Sequence, residues 1–326
     1  MLELKHRFIE TNGIRMHIAE CGDGPLIVLC HGFPESWYSW RHQLRALAEA
    51  GFHVVAPDMR GYGQTDRPDA IDQYTLLHLT GDIVGLLDAL SAEKAAIAGH
   101  DWGAPVAWHC ALLRPDRFRG VIGLSVPFWS RFPIRPTSLM PQTDDALFYQ
   151  LYFQSPGVAE AEFERDVRRS IRSLLFSASG DALRPENAGA PGNAVGMVPR
   201  HGGFLSRLVD PASLPSWLTG ADIDFYVDEF TRTGFRGGLN WYRNIDRSWE
   251  LLAPFAGSCV NIPGLYIAGD RDLVVGFPGM EQIIASLAHF VPQLRGILML
   301  PGCGHWTQQE RPVEVNNAMI GFLQQL

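Results

Sequence analysis

Apolar residues fall along this chain in two alternating rhythms. Short apolar runs bounded by turn residues read as strands. Leu26–Cys30 is apolar throughout, the mark of a strand buried on both faces. Phe52–Ala56, closed by Pro57, Ala95–Ala98 and Val121–Ser125 repeat the pattern. Phe8–Thr11 and Ile14–Ala19 flank Asn12-Gly13, a hairpin pair. Helical stretches lie between the runs. Ser36 or Ser39 caps one that reaches Ala50 and stops at Gly51; Thr75 caps another that reaches about Leu90; a third runs from Ala104 to Arg114 before Pro115. Strand and helix in this order predict a mostly parallel central sheet flanked by helices, an α/β fold.

The rhythm breaks near Pro127, where four prolines fall before residue 142 with no strand period. Ala146–Leu175, Asp222–Thr233 and Leu239–Leu251 then read as helices, and Gly180–Gly203 as a long Gly- and Pro-rich loop. After Pro263 the first grammar resumes: a strand at Leu265–Ala268, a helix at Pro278–Ala288, a strand at Ile297–Leu300 and a last helix from Pro312. A helical block therefore interrupts one α/β sheet. The expected division is 1–130 and 255–326 for the two parts of the core and 131–254 for the insertion.

Composition narrows the partners. Lys and Arg number 27 against 35 Asp and Glu, a net charge of −8 with no basic stripe, so neither nucleic acid nor an anionic membrane surface is expected. No apolar run approaches the length of a membrane span, and the first residues show no secretory signal. The five cysteines are scattered and contain no CxxC pair, which reads as reduced thiols in a cytoplasmic protein.

The candidate chemistry sits at strand ends. Gly99-His100-Asp101-Trp102-Gly103 has the spacing of a nucleophile elbow, with Asp101 where a serine is usual. A carboxylate is already ionised at neutral pH and attacks a saturated carbon without a base, forming an ester. A histidine is then free to activate water against that ester. Asp101, Asp272 and His305 follow the order nucleophile, acid, histidine. Asp270 shares the loop with Asp272 and is the alternative acid; it is the better candidate for ordering the turn. Phe33, in His31-Gly32-Phe33-Pro34, and Trp102 would offer backbone N–H groups to an oxyanion, with His31 supporting its own loop.

Five segments, HGFPESWYSW (31–40), GHDWGAPVAW (99–108), YQLYFQSPGVAEAEFE (149–164), GLNWYRN (238–244) and GCGHWTQ (302–308), together resemble the soluble epoxide hydrolases of the α/β-hydrolase fold. The likeness spans almost the whole chain but not the extra N-terminal phosphatase domain of vertebrate forms. It implies an α/β-hydrolase core with an inserted helical cap. It implies that Tyr149 and Tyr242, from the cap, donate protons to the epoxide oxygen; Tyr152 rivals Tyr149. Phe33, Trp102, Trp306 and Gln150 would line the substrate pocket. The implied reaction turns hydrophobic epoxides into vicinal diols, a detoxification chemistry, through an alkyl-enzyme ester on Asp101. His305, oriented by Asp272, would then hydrolyse that ester. It requires a small hydrophobic epoxide and water, no cofactor and no metal, and a monomer or homodimer suffices. A haloalkane dehalogenase would share the nucleophile but needs N–H donors in place of the tyrosines. A non-catalytic binder on this fold would have no reason to keep the three core residues.

Overall fold

The computed structural model describes residues 2–182 and 195–326. Ten strands and fourteen α-helices occur among them. The first half holds β1 (Lys5–Thr11), β2 (Ile14–Cys21), β3 (Leu26–Cys30), α1 (Arg41–Glu49), β4 (His53–Pro57), α2 (Leu76–Ala89), β5 (Ala95–His100), α3 (Gly103–Leu113) and β6 (Phe118–Leu124). The middle holds α4 (Pro136–Leu139), β7 (Ala146–Phe148), α5 (Tyr149–Tyr152), α6 (Val158–Phe163), α7 (Val167–Ser177), β8 (Met197–Pro199), α8 (Gly220–Thr233), α9 (Arg236–Arg243) and α10 (Ile245–Leu251). The last part holds β9 (Gly264–Gly269), α11 (Met280–Ala285), α12 (Leu287–Phe290), β10 (Leu294–Leu300), α13 (Thr307–Glu310) and α14 (Pro312–Leu323).

Eight strands form one sheet in the order β1-β2-β4-β3-β5-β6-β9-β10. It is parallel from β4 to β10, and only β1–β2 and β2–β4 pair antiparallel. The apolar runs explain this. Ile27 and Leu29 of β3 and Ala96 and Ala98 of β5 pack with Leu44 of α1 and Phe322 of α14. Val28, Cys30 and Ile97 point to the other face, packing with Ile83 of α2 and Ala107 of α3. Both faces are thus dry, as a parallel sheet requires. The carboxyl ends of β3, β5, β6, β9 and β10 then meet at one edge, where open α/β sheets bind ligands.

Between β6 and β9 the described residues add no strand to this sheet and form the cap. Three expectations need correction there. Ala146–Leu175 is not one helix: Ala146–Phe148 is extended and pairs antiparallel with Met197–Pro199. The helix from Tyr149 stops at Tyr152; α6 starts after Gly157, whose φ of 84° is left-handed, and α7 after Asp166, whose side chain accepts from Arg169 N–H. The same pairing makes part of Gly180–Gly203 a strand, while residues 183–194 of that stretch lie outside the described residues. Leu239–Leu251 is divided at Asn244, whose amide donates to the Asn240 and Ile71 carbonyls. Pro278–Ala288 is likewise two short helices, α11 and α12. Among the described residues, no helix is long and apolar enough to cross a membrane.

Candidate active site

β5 ends at His100 and α3 begins at Gly103, so the turn between them is two residues, Asp101 and Trp102. Asp101 has a φ of 49°, a left-handed conformation that costs a side-chain-bearing residue of the order of 1–3 kcal/mol. The flanking glycines permit it. A Cβ at Gly99 would strike the Gly103 carbonyl, and one at Gly103 would strike the Cys30 carbonyl. The strained turn pushes the Asp101 carboxylate out over the sheet edge.

Asp101 Oδ1 accepts the Phe33 N–H at 2.8 Å, and its Oδ2 lies 3.4 Å from His305 Nε2. Trp102, the other residue considered for an oxyanion N–H, follows directly as the first cap position of α3. His305 Nδ1 lies 3.0 Å from Asp272 Oδ1. Asp272 is fully buried and also accepts the Val274 N–H at 2.9 Å. Asp270, the alternative acid, instead accepts the Gly302 N–H at 2.7 Å and orders the turn. His31 braces its loop, with Nδ1 on the Gly32 carbonyl and Nε2 accepting from Met59 N–H, both at 2.9 Å.

The charges couple. Burial alone would push His305 down, but Asp272 and then Asp101 outweigh it and hold the imidazole well above its usual range. Asp272 is held below the usual carboxylate range: His305, Ser125 and the Val274 N–H overcome the effect of burial.

Tyr149 opens α5 and Tyr242 lies on α9, with ring centroids 5.9 Å apart. Both line a cavity of about 820 Å³ with Asp101, Phe33, His305 and Trp306. Burial, then the charge of Asp101, raises both phenols, so they are protonated at neutral pH. Gln150 donates to the Tyr149 hydroxyl at 3.0 Å, and Trp102 hydrogen-bonds toward that of Tyr242. Tyr152 gives its hydroxyl to Glu162 at 2.7 Å and lines neither this cavity nor the next. The Trp306 indole is fixed on the Leu175 carbonyl. A second cavity of about 350 Å³ shares Asp101 and Tyr149 with the first and adds Trp102 and Gln150.

Three supports escaped the sequence reading. Ser125, just past β6, brings Oγ to 3.1 Å from His305 Nδ1 and hydrogen-bonds Asp272. His100 spans from Glu35 at 2.8 Å to the His305 carbonyl at 2.7 Å, tying the Gly32 loop to the histidine loop. Glu310 accepts N–H groups from Gly180, Gly304 and Trp306. Of these only His100, inside the elbow motif, carried a local signal; the others act through groups distant in sequence or on the backbone.

Fold and site together define an α/β hydrolase with a carboxylate where the nucleophile stands. The family profile described as alpha/beta hydrolase fold matches residues 25–312. Within that fold the chain belongs to the epoxide hydrolase family. It is 46% identical to epoxide hydrolase A of Mycobacterium tuberculosis H37Rv, over 97% of this chain and 96% of the relative. It is 41% identical to epoxide hydrolase 2 of Siraitia grosvenorii, over 99% of each. Among solved structures, epoxide hydrolase A from Mycobacterium thermoresistibile superposes with a TM-score of 0.91 at 48% identity, covering 99% of this chain and 98% of that one.

Proposed function

We propose that the protein hydrolyses hydrophobic epoxides to vicinal diols through an ester on Asp101. The observation that carries this is the placing of two protonated phenols, Tyr149 and Tyr242, on the same cavity as the Asp101 carboxylate. A dehalogenase has no use for the pair, because a halide leaves without a proton.

In the first step an Asp101 oxygen attacks one ring carbon and the carbon–oxygen bond breaks. The oxygen takes the proton of Tyr149 or Tyr242, leaving a phenolate. Ester formation also removes the negative charge of Asp101, one of the two charges that hold the His305 proton. His305 then yields that proton through water to the phenolate and becomes a base. In the second step it takes a proton from water, and the hydroxide adds to the Asp101 carbonyl carbon. Phe33 N–H, already on Oδ1, and Trp102 N–H stabilise the oxyanion. Collapse breaks the ester bond, the leaving oxygen takes the proton of the added hydroxyl, and the diol departs from a carboxylate beside an imidazolium. Each charge change readies the group needed next.

Asp101, Tyr149, Tyr242, Asp272 and His305 all come from one chain, so a monomer suffices and a homodimer is compatible. The five cysteines are unpaired and four are buried, which supports a reducing, cytoplasmic location. We set the cap limits at 131 and 254, which enclose α4 to α10.

One turnover with excess protein and styrene oxide in oxygen-18 water tests the ester. The expected diol is unlabelled, with the heavy oxygen in Asp101. A labelled diol means direct attack by water and removes Asp101 as nucleophile.

A further inference from the structure

The second cavity leads away from Asp101 along one face of α3. Trp102, Pro105, His109 and Leu112 line it, at helical spacing. Eight residues at about 1.5 Å each put His109 roughly 12 Å along the helix from Asp101. Trp108, Phe128 and Trp249 supply aromatic walls. The other polar side chains on the wall are engaged. Ser130 Oγ accepts the Gly257 N–H, Ser248 Oγ accepts the Leu76 N–H, and Arg131 donates to the Trp249 carbonyl while lying over its ring.

His109 differs from them. Its Nδ1 lies 2.7 Å from the Pro105 carbonyl. A carbonyl only accepts, so the proton is on Nδ1 and Nε2 is left with a bare lone pair. Burial pushes this imidazole down, which keeps it neutral at pH 7. Among the described residues no hydrogen bond reaches Nε2. An acceptor with a fixed tautomer therefore stands in an otherwise apolar arm, at the distance of a substrate's remote substituent. A ligand donor reaching the arm would complete it.

Resting on the epoxide hydrolase reading, we propose that His109 determines specificity by accepting a hydrogen bond from a hydroxyl or N–H group on the far end of an aryl-substituted epoxide. The aromatic walls hold the ring, and Nε2 selects a ring that ends in a donor. Asp101 and the phenols act on the epoxide as before; His109 takes no part in bond breaking.

The test compares 4-hydroxyphenyl glycidyl ether with its near-isostere, 4-methylphenyl glycidyl ether. The readout is the ratio of their kcat/KM values on one preparation, so any loss of folded protein cancels. The wild-type ratio should exceed that of His109→Phe by about three- to tenfold, the range of one neutral hydrogen bond. His109→Gln, whose side-chain carbonyl still accepts, should retain part of the preference. If the phenylalanine variant does not fold, His109→Leu takes its place with the same expectation. Equal ratios in wild type and the apolar variant overturn the subsite while leaving the epoxide reading intact. Hydrolysis of neither ether by the wild-type protein overturns the epoxide reading itself, and the subsite with it.

Discussion

The two sides of the active site are held by opposite means. On the core side, hydrogen bonds fix nearly every polar atom: Asp101 by Phe33 N–H, His305 by Asp272 and Ser125, and the His305 carbonyl by His100. On the cap side each tyrosine has one hydrogen bond at its hydroxyl, from Gln150 or Trp102, and is otherwise held by rings. Tyr242 packs against Phe33, Trp102 and Phe153, at centroid distances of 5.6, 5.1 and 4.9 Å. Tyr149 packs against Phe148, Phe153 and Phe277. The two cap segments are tied to each other by the Gln154 amide, which donates to the Tyr242 carbonyl, and by an ion pair of Arg243 with Glu160 at 2.7 Å. The contrast follows from the chemistry. A nucleophile and a base must bear charge at set positions, which a low-dielectric site permits only with partners. A phenol that gives a proton must stay neutral, and a dry aromatic setting keeps it so.

Removing charge from the core side gives the largest effect. Asp101→Asn should lower turnover by about 10⁴-fold or more, as loss of a nucleophile does. It should also lower the His305 pKa, because Asp101 contributes to the rise by hydrogen bond and by charge. Asp272 remains, so the value should fall only part of the way. Titration of the histidine by NMR in both proteins checks the sign. An unchanged His305 would show that the two side chains are not coupled, and the charge hand-over between steps would fail.

The cap side should respond less, and in a different step. Tyr149→Phe and Tyr242→Phe keep the ring packing and remove only the proton. Each should slow ester formation by about 10-fold to 100-fold while the other phenol remains. The double variant should approach the 10²- to 10⁴-fold contribution of a general acid. Rapid-quench kinetics separates the steps: ester formation should slow and ester hydrolysis should not. Equal slowing of both would mean that the cap has moved rather than lost a proton donor.

The same contrast decides what the sequence could show. The core side is written locally. All-apolar Leu26–Cys30 demands a two-faced strand, and the glycines around Asp101 mark a turn no larger residue could make. Asp272 follows a strand of the same kind, β9, and His305 follows the partly exposed edge strand β10. The cap is written in contacts between distant segments. Ala146–Phe148 has too few residues to show a strand period, and becomes a strand only by meeting Met197–Pro199. Tyr149 and Tyr152, both on α5, differ only through a distant partner: Glu162 takes the Tyr152 hydroxyl, while Tyr149 faces the cavity. Asn244 reads as an ordinary helix residue until Ile71 is there to receive its amide.

Ser125 offers the smallest and finest test. It follows β6 with a φ of 68°, and its carbonyl accepts the Tyr266 hydroxyl at 2.7 Å, so the backbone is anchored independently of Oγ. Removing Oγ should therefore leave the turn in place. The hydroxyl helps hold Asp272 low, and a carboxylate held low stays ionised against His305. Ser125→Ala should raise the Asp272 pKa and slow ester hydrolysis. The rate of that step should drop by about three- to tenfold, the worth of one hydrogen bond. Ester formation, which depends on Asp101 and the phenols, should keep its rate. A purely structural serine would instead lower both rates together, so rapid-quench rates of the two steps distinguish the two.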